Sequence, residues 1–124
     1  MSKLSTMYQA GDWKQEKHVP TIIAPETVKA GELVEVKVAV GEEIAHPNTL
    51  EHHISWIKVY FLAEGAKFPV ELGTFDFNAH GEEELLAEPC VTVRFKTNKP
   101  GTILSTSYCN IHGLWEDAKE VKLA

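Results

Sequence analysis

The chain of 124 residues holds only two cysteines, Cys90 and Cys109, and neither belongs to a Cys-x-x-Cys pair. That is too few for a secreted disulfide scaffold. No stretch approaches the roughly 18 consecutive apolar residues that a membrane helix needs. The start, Met1-Ser2-Lys3-Leu4-Ser5-Thr6-Met7, lacks the apolar block of a signal peptide. The expectation is a cytoplasmic protein with no membrane partner. Lysine and arginine are also scarce: 12 against 18 acidic residues give a net charge of −6. Without a basic cluster, nucleic acid is not an expected partner, because phosphate neutralisation dominates such affinity. Helical periodicity is weak throughout, repeats and low-complexity linkers are missing, and methionine is confined to Met1 and Met7.

What is present is an ordinary globular composition, 44% hydrophobic and 24% charged, which argues against disorder, collagen or a coiled coil. The length allows one compact domain, 1–124, with residues 1–12 as an N-terminal tail. Glycines 31, 41, 65, 73, 81, 101 and 113 fall mostly about 8 to 12 residues apart, the spacing of an all-β sandwich or barrel. Between them run period-2 segments. Val34, Val36, Val38 and Val40 alternate with Leu33, Glu35, Lys37 and Ala39, so one strand face is buried and the other mostly wet. Residues 53–63, the Phe75/Phe77 and Val91/Val93/Phe95 alternations, 102–108 and 119–123 read likewise as strands, and 19–24 as an edge strand interrupted by Pro20. The pattern predicts an all-β fold, an immunoglobulin-like antiparallel β-sandwich of about seven strands. The acidic run within 82–88 reads as a helical turn or loop presenting a solvated face.

Six histidines are the unusual count. Two spacings stand out: His46-Pro47-Asn48-Thr49-Leu50-Glu51-His52-His53 and Cys109-Asn110-Ile111-His112. A Cys-x-x-His pair at a strand end lets a thiolate and an imidazole converge on one ion. The Pro-Asn bend can fold His46 and His52 toward the same point. Consecutive strand residues face opposite ways, so at most one of His52 and His53 shares that ion. The plainer reading stands beside this one: single histidines in β domains are usually surface or hydrogen-bonded residues, and cysteine is often a small buried hydrophobe. Cys90 reads as structural, His80 as a turn or supporting residue, and Trp13, Trp56 and Trp115 as core anchors. A His2Cys copper site normally carries a weak axial methionine, and both methionines here lie in the tail. Structural zinc closes its shell at four ligands, so more than four nitrogen and sulfur donors would favour iron.

Glu16-Lys17-His18-Val19-Pro20, His46-Pro47-Asn48-Thr49, Glu51-His52-His53-Ile54, Ala79-His80-Gly81-Glu82 and the string from Ser107 to Trp115, SYCNIHGLW, closely resemble superoxide reductase in its one-iron form, neelaredoxin. The match runs in order from Gly11-Asp12-Trp13-Lys14 almost to the C-terminus. The resemblance implies one ferrous ion with His18, His46, His52 and His112 equatorial and the Cys109 thiolate axial. His53 and His80 are not ligands in that pattern. Glu16 resembles the carboxylate that closes the sixth position after oxidation, and Lys17 the lysine beside the open position. The implied reaction is O2•⁻ + e⁻ + 2H⁺ → H2O2, with no dioxygen produced. Rubredoxin is the implied electron donor, and a homo-oligomer, commonly a tetramer, the implied assembly. Fe(II) with one thiolate counts as about +1, and Lys17 brings the pocket to about +2, which attracts a small anion. The chain departs from the family at Ala45, where proline is usual, and in a shorter stretch between His80-Gly81-Glu82 and Glu88-Pro89.

Overall fold

The valine alternation builds the strand Leu33–Val40, whose Val34, Val36 and Val38 side chains are fully enclosed. In the computed structural model, which describes residues 3–124, the strands in chain order are β1 Pro20–Ile23, β2 Thr27–Val28, β3 Leu33–Val40, β4 Ile54–Ala63, β5 Val70–Asp76, β6 Cys90–Lys96, β7 Gly101–Cys109 and β8 Gly113–Leu123. They form a three-stranded sheet, β1-β3-β6, and a five-stranded sheet, β2-β8-β7-β4-β5. The valines of β3 meet Ile57 and Val59 of β4, Ile103 of β7 and Val121 of β8 in one continuous apolar cluster. Each such side chain taken out of water contributes about 1.5–3 kcal/mol. The immunoglobulin-like sandwich predicted from periodicity is the fold observed.

The differences are local. Eight strands form rather than seven, the extra one being the two-residue β2, which pairs parallel with the end of β8. Strand β8 begins at Gly113, well before residue 119, because β7 templates it residue by residue from Gly101↔Val121 to Cys109↔Gly113. Its first half shows little apolar alternation of its own, so hydrogen bonding to a neighbour decides its conformation. Phe77 falls just beyond β5, although its N–H still donates to Ser55 O. β1 is an edge strand as its proline requires, bonded only to β3. Of the three tryptophans only Trp115 is buried; Trp13 and Trp56 are half-buried. Trp56 shares the outward parity of β4, opposite Ile57 and Val59, and stacks on Tyr108 with centroids 6.0 Å apart. Cys90 is exposed, on the face of β6 opposite Val93.

The topology brings three chain segments to one end. Ile54 at the start of β4 pairs with Cys109 at the end of β7, and a register shift follows between Ile54 and Trp56. Gly113, at φ +84, turns the chain back into β8 in a conformation that disfavours other residues. His18 lies just ahead of β1. The segment read as a tail is tied down at Gln9, which forms a parallel bridge to Trp115.

Asp117 of β8 has its carboxyl pKa raised by burial, only partly countered by the Ala118 N–H. Because the folded state holds the proton more tightly, stability falls as pH rises from the ordinary aspartate range through the raised value. Asp117→Asn is therefore expected to raise the melting temperature at pH 7, with the gain vanishing near pH 3 in a pH series of thermal melts.

Candidate metal centre

At this end of the sandwich His18, His46, His52 and Cys109 each present one donor atom, all within 4.8 Å of one another. Cys109 is fully buried and closes β7. Its Sγ lies 3.5 Å from His46 Nε2 and 3.8 Å from His112 Nδ1, and it accepts the His112 backbone N–H at 3.3 Å. The thiolate is the form of cysteine that binds metal. His112 Nδ1 also meets His18 Nε2 at 3.0 Å. His112 thus borders the four-donor group through its Nδ1 without belonging to the compact set.

The far nitrogens show how the rings are aimed. His18 Nδ1–H donates to Glu16 Oε1 at 2.5 Å, and His46 Nδ1–H donates to the Pro47 carbonyl at 2.6 Å. Each bond fixes a tautomer whose Nε2 lone pair faces the cluster, the arrangement in which a ligating histidine gives its other N–H to a carboxylate or carbonyl. His52 Nε2 is buried with no hydrogen-bond partner. A buried imidazole nitrogen left unpaired among other donors fits a metal ion.

Electrostatics agree. Burial first, and with it the charge of Lys17, pulls the His46 pKa down to about 4 against the raising effect of the Pro47 carbonyl. His52 is lowered by burial first, then by His112, His18 and Lys17. Both rings therefore stay neutral near pH 7, ready to bind metal. The carboxyl of Glu16 is held below the usual range by the bond from His18, in opposition to burial. In this structure Glu16 stands behind His18, its Oε1 also accepting the His18 backbone N–H at 3.1 Å. Lys17 is half-buried, and its charge is felt at both His46 and His52.

Some residues that serve the site escape sequence reading. Trp115 stacks on His18, centroids 4.9 Å apart at 11°, and its indole N–H donates to the His112 carbonyl at 3.3 Å. Gln9 Nε2 donates to the same carbonyl at 2.7 Å. Nothing local announces Gln9, which lies 103 residues from its partner; Trp115 was visible within SYCNIHGLW but read only as core. His53 and His80 lie outside the donor set, and Cys90 takes no part. Met7 is exposed, and Met1 lies outside the described residues. Among the described residues no helix is long and apolar enough to cross a membrane.

Fold and site together define a β-sandwich protein with a His/Cys metal-donor cluster at one end. The family model for desulfoferrodoxin matches residues 10–118, and the chain belongs to that family. It is 48% identical to neelaredoxin of Megalodesulfovibrio gigas over 128 residues, 98% of each chain. With the superoxide reductase of Pyrococcus horikoshii it shares 51% identity over 120 residues, 97% of this chain and 98% of that one. The reduced Archaeoglobus fulgidus superoxide reductase (neelaredoxin) superposes with a TM-score of 0.87 at 45% identity, covering 94% of this chain and 99% of its own.

Proposed function

We propose that this protein is a superoxide reductase, an oxidoreductase that takes superoxide to hydrogen peroxide by one electron at a single mononuclear non-haem iron. The observation that carries this reading is the convergence of His18, His46, His52 and Cys109 within 4.8 Å, with the His112 Nδ1 adjoining. Those five residues would hold the ion. Bound there, Fe(II) supplies the electron for O2•⁻ + e⁻ + 2H⁺ → H2O2. Lys17 attracts the anion, its ammonium standing close enough to His46 and His52 to depress their proton affinity. Glu16 orients His18 in the form seen here and would leave that bond to become the sixth ligand after oxidation. The Cys109 thiolate, supported by the His112 N–H, supplies the negative donor that distinguishes this site from an all-imidazole one.

Residues 1–124 carry this chemistry as one domain with one iron. Leu50 and Ile111, 63% and 56% exposed and close in sequence to His52 and His112, are the apolar side chains on which an electron donor such as rubredoxin would dock. The half-buried Trp56/Tyr108 stack on the outer sheet face supports a homo-oligomer, with a tetramer the first size to test. We place the activity in the cytoplasm, with relief of oxidative stress as its role.

The test combines metal analysis with pulses of superoxide applied to the reduced protein. Iron that oxidises stoichiometrically, yielding peroxide and no dioxygen, is the expected result; copper, zinc or an inert ferrous centre would sink the reading. A sharper check concerns Glu16. Glu16→Ala is expected to keep capturing superoxide within a few-fold of the parent rate while the absorption spectrum of the oxidised protein shifts. An unchanged oxidised spectrum would remove Glu16 from the ligand set.

A further inference from the structure

His53 and His80 remain unassigned by the donor set, yet they are built into the structure behind it. His80 is only 5% exposed and donates Nε2–H to the Phe77 carbonyl at 2.6 Å. That bond leaves its Nδ1 as an acceptor, buried and without a partner. The ring is met face to face: the His80 and His53 rings lie 3.6 Å apart between centroids, 10° from parallel.

His53 is the junction between the two segments that carry the donors. Its Nδ1–H donates to the Thr49 carbonyl at 2.9 Å, midway along the loop from His46 to His52. Its backbone N–H donates to Asn110 Oδ1 at 2.9 Å, and the Asn110 N–H returns a bond to the His53 carbonyl at 3.2 Å. Asn110 Nδ2 also donates to Glu51 O at 2.9 Å. The His53 ring therefore holds the 46–53 loop at Thr49, while the His53 backbone aligns that loop with the turn from Cys109 to His112.

His80 holds that ring from a stiff mount. The shortened stretch after it closes on itself through Ala87 N–H to Ala79 O at 2.7 Å, Gly81 N–H to Leu85 O at 2.8 Å and a bridge between His80 and Leu86. Glu83 and Glu84 take left-handed φ values of 50 and 62 to complete the turn, a conformation that L-residues rarely adopt. The surrounding bonds hold the segment in that shape.

We infer that His80, acting through the stacked ring of His53, is a positioning residue for the metal: it fixes the 46–53 loop so that His46 and His52 meet Cys109 in one geometry. The inference rests on the metal-centre reading above. It assigns the stack a role in metal geometry rather than in the reaction, and its natural readout is metal binding.

Full-length His80→Ala and His80→Phe proteins, loaded with Co(II) alone, supply the test. The d–d and thiolate charge-transfer bands of Co(II) report donor geometry, and competition with a chelator gives the dissociation constant. His80→Ala is expected to bind Co(II) about tenfold more weakly, with shifted bands, as for supporting residues around metal ligands. His80→Phe keeps a flat ring against His53 and is expected to restore most of the affinity and the parental bands. Parental bands and affinity in His80→Ala would overturn the inference, as would a Phe variant no better than the Ala one. Should His80→Ala fail to fold, His53→Ala removes the half-exposed partner ring; it is expected to show the same loss, and unaltered Co(II) bands there would overturn the inference equally. If the parent protein itself takes up no Co(II), the metal-centre reading falls and this inference with it. Parent binding with an indifferent His80→Ala removes the inference alone.

Discussion

Replacing Cys109 by serine is expected to abolish the thiolate-to-metal absorption band of the oxidised protein and to lower its rate with superoxide at least about 100-fold. The sulfur is fully buried at the end of β7, 3.5 Å from His46 Nε2, and accepts the His112 N–H. A thiol that coordinates a metal is deprotonated outright. A serine hydroxyl keeps its proton and has a shorter reach. The ion would then be held by imidazoles alone, with no anionic donor to raise its electron density. Absorption spectroscopy of the oxidised variant and rapid mixing of the reduced one with superoxide check the two halves separately. Survival of the band would show that the sulfur donor has been misassigned.

Lys17→Ala is expected to slow superoxide capture about tenfold or more at low ionic strength and to flatten its dependence on salt. The chain as a whole carries −6, which would repel a small anion; the relevant balance is the one within a Debye length of the site, about 8–10 Å at physiological salt. Within that range Lys17 is close enough to depress the proton affinities of His46 and His52. Removing its charge leaves the metal and thiolate, about +1 by formal count, as the remaining attraction. Stopped-flow rates across an ionic-strength series measure the effect. A variant with the parent rate and parent salt slope would remove Lys17 from steering.

Much of the fold was legible because β-strands with one buried face write their geometry into alternation. β3 and β6 could be read from their valines, and the edge position of β1 from Pro20. The first half of β8 could not, since its conformation is imposed by the residues from Leu104 to Cys109 of β7 alongside it. Of the histidines at the site, His46, His52 and His112 were visible in their local spacing, and His18 only through the resemblance of Glu16-Lys17-His18-Val19-Pro20. Nothing in the residues around Glu16 indicated that its carboxylate would be found on His18 Nδ1. Trp115 looked like a core residue and turned out to lie flat on a donor ring, where it also caps the His112 carbonyl. His80 looked like a turn residue; the stack on His53 is a contact between residues 27 positions apart by number, and only the fold brings them to 3.6 Å.

By itself the sequence determined the inventory: an all-β chain, six histidines, one cysteine at Cys-x-x-His spacing, and too little positive charge for a nucleic-acid surface. Periodicity and donor chemistry are local properties, carried within a few residues. The tertiary structure decided which donors meet, because convergence depends on strand register. Pairing Ile54 with Cys109 sets the 46–53 loop against the turn from Cys109 to His112, and β1 delivers His18 from the other sheet. It also decided the supporting cast of Gln9, Trp115, His53 and His80, whose roles exist only as hydrogen bonds and stacks across that junction. Trp115 lies flat on the His18 ring, and Gln9 and Trp115 both hold the His112 carbonyl, so part of the entropy of ordering the site is already spent on folding.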